Sequence, residues 1–194
     1  MKGTLRVISG SAKGTRLKMV PGDTTRPITD IVKEALFNIL ADEVLDNAVL
    51  DLFGGTGAVA IEALSRGARD AVIIDKSEAA IRTIKANLLA TKLEAKAKVI
   101  RADAFAYLDQ TPGKAFDLIY IAPPQYKGMW VKAIHAIDAD PGLLTEDGQT
   151  IVQINPVEWE ESELSNLEEF DRRKYGDTLL IFYERKSDTE LSLE

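Results

Sequence analysis

From residue 48 onward the chain alternates short, continuously apolar runs with amphipathic stretches, and this alternation constrains its fold more than any other feature. Ala48-Val49-Leu50-Asp51-Leu52 is followed by glycines and by a helical stretch from Ala58 to Arg66, which Gly67 stops. Ala71 to Asp75 reads as the next strand. Ser77 then caps a helix carrying Ile81, Ile84 and Leu88 on one face. Lys98-Val99-Ile100, a short helix at 104–108, the run Phe116 to Ile121, a helix near 128–138 and the run Thr150 to Ile154 continue the pattern. Strands apolar on both faces and joined by helices predict a doubly wound, mostly parallel α/β sheet. The period then changes. Phe170 to Tyr175 and Thr178 to Tyr183 flank Gly176-Asp177, which predicts an antiparallel hairpin.

The first residues follow a different rule. Leu5 to Ile8 and Thr15 to Lys18 alternate apolar and basic residues around the turn-forming stretch Ser9 to Gly14, which predicts a hairpin with cations on its exposed side. Gly22 and Pro27 break the chain before a helix capped by Thr29 or Asp30. Charge divides at the same place. The chain carries a net charge of −7, which taken whole argues against a nucleic-acid partner. Residues 1–28, however, hold six basic groups against Asp23 alone. A basic arm over 1–28 joined to an acidic body over 29–186 restores nucleic acid as a partner. Residues 187–194 read as a disordered tail. There is no cysteine and a single histidine, His135, so thiolate chemistry is excluded and no metal site is expected. No window approaches the ~20 apolar residues of a membrane span, and the reading is of a cytoplasmic monomer.

The chemistry gathers at strand ends. Asp51-Leu52-Phe53-Gly54-Gly55-Thr56-Gly57 lies where the first strand turns into a helix. It lacks the G-x-G-x-x-G spacing of a dinucleotide site and places a carboxylate at the strand tip. A carboxylate suits an ammonium better than a pyrophosphate, and S-adenosylmethionine carries an ammonium and no phosphate. Asp75 ends the second strand, where an acid accepts from ribose hydroxyls. Asp103 follows the third and could accept from an adenine amine or cap the next helix. The fourth strand ends in Ala122-Pro123-Pro124-Gln125-Tyr126. This is similar to the Asp/Asn-Pro-Pro-Tyr/Phe motif of methyltransferases acting on planar amino groups. There an acid or amide and a proline-flanked carbonyl hold the amine, and the aromatic stacks on a base drawn out of its stack. Here alanine takes the first place, and Gln125 delays the aromatic by one.

Further segments carry a more specific resemblance. They are Arg6 to Gly10, Lys13 to Leu17, Arg26-Pro27-Ile28-Thr29-Asp30, Lys33 to Asn38, Asp51 to Gly57, Glu62 to Ala68 and Tyr175 to Thr178. Together they resemble the bacterial 16S ribosomal RNA guanine-N2 methyltransferases, the RsmD-like family. Two positions depart from its pattern: Ala122 stands where the family has an acid, and Ile28 where it has threonine. The resemblance implies a Rossmann-like class I methyltransferase with an antiparallel last strand, S-adenosylmethionine as donor, and ribosomal RNA or the small ribosomal subunit as partner. It implies that Asp51 and Gly55 line the methionine end, Asp75 the ribose and Asp103 the adenine, with Phe53, Gly57, Lys76 and Ala104 beside them. Arg26, Pro27 and Thr29 would close the pocket. Residues 122–126 would form the catalytic loop, and Arg6, Lys13, Arg16 and Lys18 would meet RNA. Ala122 leaves a second reading open, a protein that keeps these surfaces without the chemistry. Methyl transfer to DNA, protein or a small molecule also stays open.

Overall fold

A computed structural model describes residues 5–22, 28–110, 114–125 and 127–187. Seven strands form one sheet: β1 (Ala48–Asp51), β2 (Asp70–Asp75), β3 (Ala97–Arg101), β4 (Phe116–Ile121), β5 (Leu144–Ile154), β6 (Leu167–Tyr175) and β7 (Thr178–Arg185). Their order is β3-β2-β1-β4-β5-β7-β6. The first five are parallel; β7 runs antiparallel to β5, and β6 antiparallel to β7. The helices are α1 (Asp30–Leu40), α2 (Ala58–Ser65), α3 (Glu78–Thr91), α4 (Ala104–Asp109) and α5 (Met129–Ala139). The predicted doubly wound sheet is therefore present, with its antiparallel ending. None of these helices is long and apolar enough to cross a membrane.

Strand alternation sends side chains to two separate cores. Val49, Leu118 and Ile151 pack on one face with α1, α2 and α3; Leu50, Ile119 and Val152 pack on the other with α4 and α5. Trp130 of α5 is fully buried in the second core, its indole N–H donating to the Glu158 carbonyl. The strand β5 starts six residues earlier than the apolar run suggested. A register shift against β4 between Phe116 and Leu118 absorbs its polar stretch Thr145 to Gly148.

Crossing order places the working edge. Parallel β1 to β5 all end on the same side, so Asp51, Asp75, Asp103, Ala122 and Asn155 arrive together at the carboxyl edge of the sheet. The strand order reverses between β1 and β4, and a crevice opens there in folds of this type. Side-chain caps fix the start of α1, α3 and α4. Thr29 Oγ1 accepts from Val32 N–H, Ser77 Oγ from Ala80 N–H, and Asp103 Oδ1 from Phe105 and Ala106 N–H.

The N-terminal hairpin is shorter than its alternation predicts, a single bridge between Arg6 and Arg16 flanked by Val7 N–H to Thr15 O and Leu17 N–H to Leu5 O. The reason is competition from α2. Glu62 accepts from the backbone N–H of Ile8 (2.8 Å) and Ser9 (2.9 Å). Ser65 takes the N–H groups of Ser11 and Ala12 and donates to the Ser9 carbonyl. Gly10 permits this approach: a Cβ there would lie 1.8 Å from the Ser65 carbonyl oxygen, and its φ is +81°. Leu5, Val7, Ala12 and Leu17 join the first core, so the arm is docked along its apolar side, while Arg6, Lys13, Arg16 and Lys18 are exposed.

Glu62 and Lys33 are both fully buried and lie 3.5 Å apart, with Arg66 Nε donating to Glu62 at 2.9 Å. Burial lowers the Lys33 pKa against the opposing pull of Glu62 and Asp30. Removing one member of such a set strands the others, which costs about 3–5 kcal/mol. We expect Glu62→Ala to lose that much stability in urea unfolding. Hydrogen exchange at the Ile8 and Ser9 amides should accelerate well beyond the global change. Equal acceleration throughout the chain would show that Glu62 does not dock the hairpin.

Candidate active site

The strand ends open into a cleft of about 720 Å³. Thr29, Asp51, Phe53, Gly55, Asp75, Lys76, Asp103 and Ala104 line it, and so do Ala122, Pro123, Pro124 and Gln125. Arg26, Pro27 and Tyr126 lie outside the described residues. Gly57 sits behind the lining, where its φ of +76° starts α2 and its α-carbon faces Ile84 and Ile61. Ile28, the departure from the threonine pattern, lines the cleft and is buried.

The glycine turn is held from below. Gly54 N–H donates to the Ile74 carbonyl at 2.7 Å, and a Cβ at Gly54 would lie 2.5 Å from Ile73 Cγ2. Only glycine lets the turn sit that close to β2. A Cβ at Gly55 would instead meet nothing nearer than 3.9 Å, so it would occupy the cleft itself. The turn thus forms a cradle open toward a ligand.

The three acids differ in what they already hold. Asp75 is committed on both oxygens, accepting from Gly55 N–H at 2.9 Å and Ser77 N–H at 2.7 Å, so it ties the turn to the end of β2. Asp103 caps α4 from its exposed position, which is the alternative the sequence left open. Asp51 is 2% exposed and accepts one long hydrogen bond, from Phe53 N–H at 3.4 Å. It has no ion pair among the described residues. Burial pushes its carboxyl up to about 7; the Phe53 N–H opposes this, and the charge of Asp75 adds to it. A buried carboxyl lacking a cation among the described residues, beside an open glycine cradle, fits a ligand that brings an ammonium of its own.

Several lining residues were not picked out from sequence. Met19, Val20, Pro21 and Gly22 form one wall. That wall is placed by Asn87 of α3, which is fully buried: its Oδ1 accepts from Lys18 N–H, and its Nδ2 donates to the carbonyls of Lys18 and Thr56. Tyr120, Gln153, Asn155 and Asp177 line the far end. Tyr120 donates to Gln153 Oε1, and burial, reinforced by the negative charge of Asp51, holds its hydroxyl well above the usual tyrosine range, so it stays protonated. Gln153 is the penultimate residue of β5, a polar position inside a run read for its apolar character.

Sheet order, glycine turn and acid-tipped strands define a Rossmann-like methyltransferase of the S-adenosylmethionine-dependent class. Comparison with known proteins narrows the class. YlbH of Bacillus subtilis, which bears the name of an rRNA methyltransferase, is 37% identical over 185 residues, spanning 94% of this chain and all of that protein. Ribosomal RNA small subunit methyltransferase D of Escherichia coli is 34% identical over 151 residues, covering 78% of this chain and 75% of the relative. The solved structure of yhhF from Escherichia coli, described as a methyltransferase, superposes with a TM-score of 0.83 at 29% identity, over 95% of this chain and 99% of its own. The family model described as conserved hypothetical protein 95 matches residues 5–184, and the chain belongs to that family, the RsmD family.

The state of Asp51 makes a measurable prediction. The free carboxyl is neutral below about pH 7 and the ammonium-bound one is ionised, so cofactor affinity should rise as pH increases through that value. Asp51→Asn should weaken cofactor binding by about 10–100-fold, the worth of one charged hydrogen bond, and flatten the pH dependence. Its effect on stability has the opposite sign. A folded pKa above the unfolded one means that ionisation opposes folding, so the wild type loses stability as pH rises toward 7 and the variant does not. Calorimetric titration and thermal melts at pH 6 and pH 8 read both; affinity independent of pH would remove Asp51 from the ammonium site.

Proposed function

We propose that the protein transfers a methyl group from S-adenosylmethionine to the exocyclic N2 of a guanine in 16S ribosomal RNA, acting in the cytoplasm as a monomer. The observation that carries this reading is convergence. The ammonium-seeking Asp51, the glycine cradle and the Ala122-Pro123-Pro124 loop share one cleft, and the chain leaving the basic hairpin at Lys18 continues into its Met19–Gly22 wall. The names of the two curated relatives support ribosomal RNA as the substrate class.

When bound, the cofactor supplies an electrophilic methyl on a sulfonium. Asp51 would accept from its ammonium and the Gly55 cradle would hold the methionine end; Asp75 would take the ribose hydroxyls with its remaining lone pairs, and Asp103 the adenine. Lys76, Phe53 and Ala104 would flank them, with Thr29 closing the pocket. The guanine amine is a poor nucleophile because its lone pair is delocalised into the ring. The chain's task is therefore to align it with the methyl and keep it pyramidal. The Pro123 carbonyl, with Gln125 beside it, would accept from the amine. Accepting the methyl would leave the amine cationic, with its proton passing to solvent and the thioether remaining as leaving group. An acid at position 122 would offset that charge, and its absence costs on the order of 10²–10³ in rate by analogy with other stabilising groups. Ala122 also favours a second reading, cofactor and RNA binding without transfer.

Methylation of bare 16S RNA and of assembled small subunits decides between them. Incorporation into either is expected; measurable cofactor binding with no incorporation into both would leave the second reading. Ala122→Asp should raise the rate. Replacing Arg6, Lys13 and Arg16 with alanine should weaken RNA binding and reduce its salt slope by about 0.7–0.9 for each phosphate that is no longer neutralised. Cofactor affinity should be unchanged, and an equal loss of both would assign the hairpin a structural role only.

A further inference from the structure

The amine has two hydrogens to place, and the Pro123 carbonyl accounts for one. Gln125, two residues on, is exposed and has no hydrogen bond among the described residues. The structure offers a better acceptor on a different strand. Ile121 of β4 pairs in register with Val152 of β5, which sets the next residues, Ala122 and Gln153, side by side at the mouth of the cleft. Two residues before Ala122 on the same face lies Tyr120, 3% exposed, whose hydroxyl donates to Gln153 Oε1. That contact holds the carboxamide with its oxygen toward Tyr120. One lone pair of Oε1 is taken and the second is left for a further donor, while Nε2 keeps two hydrogens to give.

We propose that Gln153 is the target-amine acceptor that stands in for the acid missing at position 122. The assignment rests on the reading of the cleft as an amine methyl-transfer site, and it identifies which side chain completes that site. A carboxamide is a two-point partner for an exocyclic amine beside an unprotonated ring nitrogen, as on the N2–N3 edge of guanine. Oε1 accepts from the amine and Nε2 donates to the ring nitrogen. The Tyr120 hydrogen bond removes the rotational freedom that an exposed glutamine would have to lose on binding. Pro123 and Gln153 then hold the two amine hydrogens from neighbouring strands, and the lone pair is directed out of the ring plane.

The test uses the full chain and measures kcat, KM for RNA and, separately, the Kd of S-adenosylhomocysteine. Gln153→Leu keeps the side chain's size and removes both polar atoms. It should lower kcat at least about tenfold, the loss of one buried hydrogen bond made in the transition state, with the Kd near wild type. The melting temperature should fall because the buried Tyr120 hydroxyl loses its acceptor, so kcat is read well below the melt. Adding Ala122→Asp to that variant should recover kcat, because the acceptor returns at the neighbouring register position. At saturating cofactor, Gln153→Glu should show a kcat that rises with pH as the new carboxyl ionises, whereas the wild-type dependence through Asp51 falls on cofactor affinity. A Gln153→Leu protein with wild-type kcat overturns the assignment alone. So does one whose Kd for S-adenosylhomocysteine weakens in step with kcat, since Gln153 would then be shaping the pocket rather than meeting the base. A wild type that binds cofactor yet methylates no RNA overturns the underlying function and this assignment together.

Discussion

A buried carboxylate, Glu62, holds the two halves of the cleft together. A charge removed from water is tolerated only when its partners replace the lost solvation. Glu62 has two backbone N–H groups from the hairpin, the Arg66 guanidinium and the Lys33 ammonium around it. Without the hairpin, two of those partners vanish, so docking is the condition for keeping the charge inside. The consequence reaches the site. Once residues 8–12 are fixed on α2, the chain leaving the hairpin at Lys18 is led to Asn87, and Asn87 also grips the glycine turn at Thr56. Cofactor cradle and hairpin are thereby joined through one amide side chain. The cations of the hairpin face outward because its apolar residues are needed inward.

The sheet was legible because its strands are apolar on both faces and its helices carry caps at Thr29, Ser77 and Asp103. Strand-tip acids were legible for a related reason, since a carboxylate at the end of an apolar run has to be explained. Other parts depended on residues distant in sequence. Glu62 and Ile8 are 54 positions apart, and no local period announces that a helix glutamate will capture hairpin amides. The same capture truncated the hairpin ladder, which alternation alone had made longer. Tyr120 and Gln153 were passed over because each lies within a run read for its apolar character, and their partnership exists only through the β4–β5 register.

The three acids show why a helix cap and a ligand contact are not exclusive readings. A carboxylate offers about four lone-pair sites. Asp75 and Asp103 spend part of that capacity on backbone N–H groups and remain on the cleft surface. Asp51 receives one long bond and, among the described residues, no cation, so its charge waits on the ligand. The proposed ammonium contact would couple its ionisation to binding.

That coupling gives the missing acid at 122 a physical context. Asp51 faces Tyr120 in the β1–β4 register, and Ala122 lies two residues further on the same face. A second carboxylate there would add negative charge to a site where burial and Asp75 already favour the protonated form of Asp51. A neutral carboxamide from Gln153 accepts a hydrogen bond without raising the pKa of Asp51, and so leaves it more readily ionised by an incoming ammonium at neutral pH. The carboxamide offsets less of the positive charge that develops on the amine. With the proposed acceptor on β5 in place of an acid at 122, the site would favour cofactor capture over the rate of the chemical step.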